Sequence, residues 1–338
     1  MICHLKKGLF LIFLWFIFCS KIDFEYKNIK TEKPLSIHLI ELDPQKYEVR
    51  PSLADISKIS RDTVLNIVKK NSAKAGINAG FFKENGLPSG ILKIDGSYIS
   101  LPIKTRGSIG WDRENKDFLI DQLDAKAYLI TNSKEILVDG INRIREKNER
   151  ILYFWPFFLR ETLNQTTSSM ILSDIFFLAV DPKDEIIKFL KFNNFDYKID
   201  ILAQKNPSSS YIFDELDYIV GGTPLLIYDG EKIYDYSSEK TIISFLVDRH
   251  ARTAIGIKEN GNLIFLVVDG QDKEKSQGMT IDELRDFMFD LGCIYALNLD
   301  GGSSSSMVIE NELINEPISL DGTIDRAVSN AILIFEKK

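Results

Sequence analysis

The sequence predicts a strand-rich fold with few helices and one β–α–β crossover near residues 263–299. Three observations predict it. Apolar runs are short and are broken by Gly, Asn and Asp. Asp-Gly recurs at 95, 139, 229, 269, 300 and 321, with Asn260-Gly261 as a further turn word. Only Asp55–Asn71 and Thr280–Leu291 read as helices.

The apolar runs are Leu35–Leu42, Ala75–Asn78, Ile91–Ile94, Ala127–Ile130, Ile151–Phe154, Ile175–Val180, Tyr218–Val220 and Leu225–Tyr228. Between strands, Asp-Gly most often closes a hairpin, and Asp95 and Asp229 are assigned to hairpins. Thr253–Lys258 and Leu263–Val268 flank Asn260-Gly261 and read as a third hairpin. The Thr280–Leu291 helix has the best local signals. Thr280 and Glu283 form a capping box, Ile281, Leu284, Phe287, Met288 and Leu291 share one apolar face, and Gly292 ends it.

Leu263–Val268, this helix and Ile294–Leu299 make the crossover, for which a right-handed parallel connection is expected. Parallel strands place Asp269 and Asp300 at one carboxyl edge, where sites in such sheets lie. Neither Asp is followed at once by a strand, which weakens the hairpin reading for both. After Asp300, Gly301 and Gly302 permit positive φ or close backbone approach. Ser303–Ser306 could complete an anion nest, although a serine-rich turn is more often only a turn. Arg252 has a fork that suits a phosphate; taken alone, it reads equally as a surface residue at a strand end.

With 338 residues, 44% apolar and 27% charged, the chain has ordinary globular composition. A net charge of −7 argues against a nucleic-acid partner. Lys6, Lys7 and the apolar Gly8–Phe18 read as a signal peptide over residues 1–19. Cys19 directly after it suggests a lipoprotein leader lipidated on that thiol. Bulky Phe16–Phe18 leave open a simple cleaved leader or a short anchor. The expected location is extracytoplasmic, as a periplasmic or cell-surface lipoprotein or a secreted protein. The membrane is reached only through the leader or lipid. Polar, lysine-rich residues 20–34 read as a tether before a domain at 35–338. Cys293 is left alone and reads as a buried thiol. The remaining histidines, His38 and His250, and the lack of a G-x-S-x-G word argue against a serine hydrolase.

Seven words resemble, in order, those of the phosphodiester glycosidase family: Asn78-Ala-Gly-Phe-Phe82, Gly140-Ile-Asn-Arg143, Gly221-Gly-Thr-Pro-Leu225, Arg252-Thr-Ala-Ile-Gly256, Val267-Val-Asp-Gly270, Gly278-Met-Thr280 and Leu297-Asn-Leu-Asp-Gly-Gly302. Asn330 in the last strand adds to them. The resemblance implies an α+β domain with a mixed β-sheet core and flanking helices. It also implies hydrolysis of a sugar C1–O bond in a glycosyl-1-phosphodiester of a glycan or envelope polymer, with no required cofactor. The leaving phosphate has a second pKa of about 6, so little acid assistance is needed. On this reading Asp300, then Asp269, is the catalytic carboxylate. Asn78, Phe82, Asn142, Arg143, Gly222, Arg252, Thr253, Gly301, Gly302, Ser304 and Asn330 face the substrate. The family's third glycine is Ser303 here, where a Cβ is expected to narrow the turn or force a different φ. Two other readings stay open. One is a phosphodiesterase holding Ca²⁺ or Mg²⁺ on Asp269, Asp272 and Asp300. The other is a non-catalytic glycan-binding protein.

Overall fold

The computed structural model describes residues 13–15, 24–31, 34–131, 134–142, 151–154, 169–172, 177–180, 195–317 and 325–337. Its centre is an eight-stranded sheet in the order β1-β2-β3-β20-β19-β21-β17-β18. These strands are β1 (Phe13–Trp15), β2 (Glu25–Lys30), β3 (Ser36–Leu42), β20 (Leu263–Val268), β19 (Arg252–Lys258), β21 (Cys293–Asn298), β17 (Leu225–Tyr228) and β18 (Glu231–Lys232). A five-stranded sheet runs β23 (Glu312–Leu313), β22 (Met307–Ile309), β5 (Ala75–Asn78), β24 (Asn330–Glu336), β4 (Tyr47–Leu53).

A third sheet runs β10 (Glu135–Val138), β9 (Phe118–Thr131), β8 (Arg106–Trp111), β16 (Tyr218–Gly221), β6 (Leu92–Ile94), β7 (Ser97–Ser100), with β15 (Phe195–Ala203) also pairing β9. The fourth joins β11 (Gly140–Ile141), β12 (Ile151–Phe154), β14 (Phe177–Val180) and β13 (Ser169–Leu172). The described α-helices are α1 (Val64–Asn71), α2 (Ser210–Glu215), α3 (Ile243–Val247) and α4 (Ile281–Asp290).

The strand-dominated α+β reading therefore holds, but the mixed central sheet does not. Every described pairing in the central sheet is antiparallel, and the parallel one joins β11 to β12. The expected crossover is present with one change. β20 and β21 run in the same direction, yet β19 lies between them and pairs antiparallel with both. The hairpin at Asn260-Gly261 supplies β19, and the β20 hydrogen bonds on the other side go to β3. Residues 25–30, expected in a tether, form β2. With Ile29 as its one buried residue, β2 suits a strand near a sheet edge.

β20 is buried at every position, as its unbroken apolar run requires of a strand covered on both faces. On one face α4 lays Ile281, Leu284 and Met288 against Leu39, Leu266 and Ala296. On the other, Phe265, Val267 and Leu297 join Ile77, Ile332 and Trp111 from the neighbouring sheets. Trp111 donates its Nε1–H to the Val49 carbonyl at 2.8 Å, so this large buried ring leaves no unmet donor.

Local chemistry explains the helix limits. At α4 Thr280 accepts from the Glu283 amide at 3.2 Å while Glu283 accepts from the Thr280 amide at 3.0 Å. α1 starts at Val64, later than the expected Asp55, because Asp55 bonds the Ser57 amide and hydroxyl instead. Thr63 then caps the helix. Asp95-Gly96 and Asp229-Gly230 all have positive φ, as the hairpin reading requires. Thr280→Ala is expected to lower unfolding stability by about 1 kcal/mol. Chemical denaturation checks this, with an unchanged midpoint against it.

Candidate active site

Asp300 stands just past the carboxyl end of β21, and Asp269 just past that of β20. Both lie at one edge of the central sheet, as the crossover predicts. β19 separates their strands, so the strand spacing alone puts them roughly 10 Å apart.

Asp269 is held by its surroundings. His38 Nε2 lies 3.0 Å from Oδ2, and Oδ1 accepts from Asn315 Nδ2 at 2.9 Å and the Glu316 amide at 3.1 Å. Burial raises its pKa, but His38, Asn315 and Ser36 outweigh this and bring it below the ordinary carboxylate value. His38 in turn meets Tyr26 Oη at 2.9 Å and Ser36 Oγ at 3.1 Å. Asp272 accepts from the Glu274 and Lys275 amides, and these donors lower its pKa. Among the described residues, no three His, Cys, Asp or Glu side chains stand together as a metal site. The metal reading therefore gains no support from this geometry.

Asp300 differs. The residue keeps some surface, but protein atoms crowd its carboxylate. Burial pushes its pKa up to about 6, against the pull of Ser304, Arg326 and the Gly301 amide. That amide donates to Oδ1 at 3.0 Å. The next residues form a 3₁₀ turn, Gly302–Ser304. Gly302 has φ +61°, which favours glycine, and a Cβ on Gly301 would stand 2.9 Å from the Ala251 carbonyl. Ser303 has no positive φ. Ser303 is therefore not forced into the left-handed region, and the glycine-demanding positions are 301 and 302. Ser303 Oγ instead accepts from Arg326 Nη1 at 3.1 Å. Ser304 influences the Asp300 carboxylate, yet its buried hydroxyl reaches hydrogen-bond geometry with no described residue.

Arg326 was not anticipated from the sequence. Its guanidinium lies 5.4 Å from the Phe82 ring centroid, so Phe82 does reach the site. Its one sequence signal is its position four residues before Asn330.

The remaining expected residues divide. Asn78, Thr253 and Asn330 are buried and build the frame of the site. Asn78 Nδ2 donates to the Asp300 carbonyl at 2.7 Å, and its Oδ1 accepts from Thr253 Oγ1 at 2.7 Å and the Ser306 amide at 3.1 Å. Asn330 Oδ1 accepts from the Gly80 amide at 2.8 Å. Arg252 is bound mainly to backbone, while its buried Nη1 meets no partner among the described residues. Its fully buried guanidinium donates to the Met279, Phe245 and Asp248 carbonyls at 2.8, 2.8 and 2.9 Å. Burial lowers its pKa to about 10. Gly222 is needed for packing, since a Cβ would stand 2.3 Å from the Asn298 carbonyl. Asn142 is buried at φ 51° and donates to the Ile99 carbonyl at 2.9 Å. Arg143 and Cys19 lie outside the described residues. Cys293 is buried, which pushes its thiol up to about 12 and leaves it inert near neutral pH.

The site thus sets the Asp300 carboxylate beside a glycine–serine turn, under the influence of the Arg326 guanidinium. Residues 174–335 match the model of the phosphodiester glycosidase family, so the resemblance read from the sequence is borne out over that span. The bovine (Bos taurus) N-acetylglucosamine-1-phosphodiester alpha-N-acetylglucosaminidase is 37% identical over 67 residues, which is 20% of this chain and 12% of that enzyme. A hypothetical protein from Synechocystis shares the fold with TM-score 0.73 and 22% identity, over 93% of this chain and 61% of its own. The catalytic domain of the zebrafish N-acetylglucosamine-1-phosphodiester alpha-N-acetylglucosaminidase, auto-inhibited by its pro-peptide, aligns at TM-score 0.52 and 18% identity. That alignment covers 99% of this chain and 86% of the zebrafish chain.

The raised Asp300 pKa carries a stability consequence. Below its ordinary value of 3.8 the group is protonated whether folded or not, and it costs nothing. As pH rises through about 6 the folded chain must ionise a buried carboxyl, and stability falls. Asp300→Asn is therefore expected to stabilise the protein near pH 8 by at most about 3 kcal/mol. The gain should vanish near pH 3.5. Equal midpoints of wild type and variant near pH 8 would contradict a buried, penalised Asp300.

Proposed function

We propose that this chain hydrolyses the sugar C1–O bond of a glycosyl-1-phosphodiester in a glycan or envelope polymer. The observation that carries the reading is the Asp300 carboxyl, raised to about 6, beside a turn and a guanidinium that can take the phosphate. A phosphate monoester leaves readily, since its second pKa is about 6. The protein then needs positive charge at the leaving group and one carboxylate near C1. Arg326, the Ser303 and Ser304 hydroxyls and the turn amides supply the first. Asp300, ionised, activates water or attacks C1. Asp269 takes second place, because its oxygens already face His38, Asn315 and the Glu316 amide.

An extracytoplasmic location is part of this proposal and rests on Lys6, Lys7 and the apolar Gly8–Phe18. The architecture is compatible with leader removal. β1 is the edge strand of the central sheet, so losing it exposes β2 and breaks no other pairing among the described residues.

The test uses N-acetylglucosamine-1-phospho-6-mannoside in ¹⁸O-water. C1–O hydrolysis is expected to place the label in free N-acetylglucosamine. Label in phosphate would instead assign P–O cleavage. Asp300→Asn should lower kcat by roughly 10²–10⁴-fold. Because the working form is the carboxylate, kcat/KM should fall as pH drops below about 6. A rate that rises on acidification would give Asp300 the role of a proton donor. Arg326→Gln should raise KM as well as lower kcat.

A further inference from the structure

The loop that carries Phe82 to Arg326 borders a cavity with its preceding residue, Phe81. This cavity holds about 330 Å³ and is lined by Lys104, Arg106, Lys240, Thr223 and Thr241. No Asp or Glu lines it, although the chain carries a net charge of −7. Among the described residues, none of the three cations makes an ion pair. The Lys104 ammonium donates to the Lys240 carbonyl at 2.9 Å, and Arg106 Nη1 donates to the Glu239 carbonyl. The charge of the buried Glu239 carboxylate acts on Arg106, but that carboxylate is already engaged. It accepts from Gln122 Nε2 and the Leu225 amide at 2.9 and 2.8 Å, and from the Gly107 amide at 3.1 Å.

The cations also burden one another. Burial, then the charges of Arg106 and Lys240, hold the Lys104 ammonium below its usual range. An anion entering the cavity removes this repulsion and meets two hydroxyls besides. Thr223 Oγ1 and Thr241 Oγ1 lie 3.1 Å apart, so one of the pair can turn its proton to a ligand. Position links the cavity to the candidate active site. The Asp300 amide donates to the Ala79 carbonyl at 3.0 Å, two residues before Phe81, and the Thr223 amide donates to the Asn298 carbonyl at 2.8 Å.

We propose that this cavity is an anion subsite for a phosphoryl or phosphodiester group on the aglycone, beyond the leaving phosphate. The identity of that anion as part of the substrate rests on the proposed function; the anion binding itself does not. It would make the preferred substrate a polymer with more than one phosphate, not a single sugar phosphodiester.

The test follows the Gly222, Thr223 and Thr241 amides by ¹H–¹⁵N NMR in the full chain as inorganic phosphate is added. Saturable shifts are expected. Lys104→Gln with Lys240→Gln should weaken the apparent Kd at least tenfold, while Arg326→Gln leaves it within twofold. Both lysines keep surface, so thermal melting can verify that the double variant folds. Arg106 is left intact because it holds the Glu239 carbonyl. Amides that do not move, or that move equally in the lysine double variant, overturn the subsite. Shifts that vanish only in Arg326→Gln overturn it too, by placing the phosphate at the Asp300 turn. Phosphate binding here with no sugar release would overturn the proposed reaction and leave the subsite standing.

Discussion

The Asn78 side-chain amide is the contact on which the site depends. It sits at the end of β5 in the five-stranded sheet, yet its partners belong to the edge of the central one. Its oxygen takes two donors, the Thr253 hydroxyl and the Ser306 amide, and its nitrogen gives one bond to the Asp300 carbonyl. An amide this buried is costly to leave half-bonded, so the three partners fix one another. The result is a rigid junction of three segments: the 79–82 loop, the start of β19 and the turn after β21. Asp300 gets its position from this junction and its surroundings from the turn. Asn330 secures the same loop from β24 through the Gly80 amide.

That junction explains why two aspartates in the same sequence context behave differently. Each follows a buried strand and precedes glycine. Asp269 meets an imidazole, a side-chain amide and a backbone amide, and its charged form wins over burial. Asp300 meets one amide and more distant help, and burial wins. Environments that push two carboxyls in opposite directions separate their roles. One suits an ion that braces structure; the other suits a group that must exchange protons or attack. The separation needs no repulsion between them, since β19 holds their strands apart.

What could be read from sequence follows the range of the interactions involved. The α4 capping box and the Asp-Gly hairpins lie within a few residues, and they formed as expected. The shared edge of Asp269 and Asp300 was also legible, because a strand–helix–strand order sets relative direction. Which strand lies between them was not, since nothing local in Arg252–Lys258 states that it has two partners. The backbone partners of Arg252 were hidden for a related reason. An arginine at a strand end reads the same whether it meets water, phosphate or three backbone carbonyls. Arg326 follows no motif at all and enters the site only through tertiary placement. His38 was read as evidence against one enzyme class, when its main partner is Asp269 across 231 residues.

The departure at Ser303 shows how a family pattern can be separated into physical demands. Three successive glycines after the aspartate look like one requirement. In this chain they are distinct. Position 301 needs a missing Cβ because a carbonyl passes close by, and position 302 needs positive φ. Position 303 needs neither. A serine there keeps the turn and adds an acceptor for Arg326, a guanidinium whose other neighbour is an aromatic ring. Orienting that group from two sides limits its rotamers before any ligand arrives, which lowers the ordering cost of binding an anion. The substitution is thus better understood as a way of fixing Arg326 beside Asp300 than as the loss of a glycine.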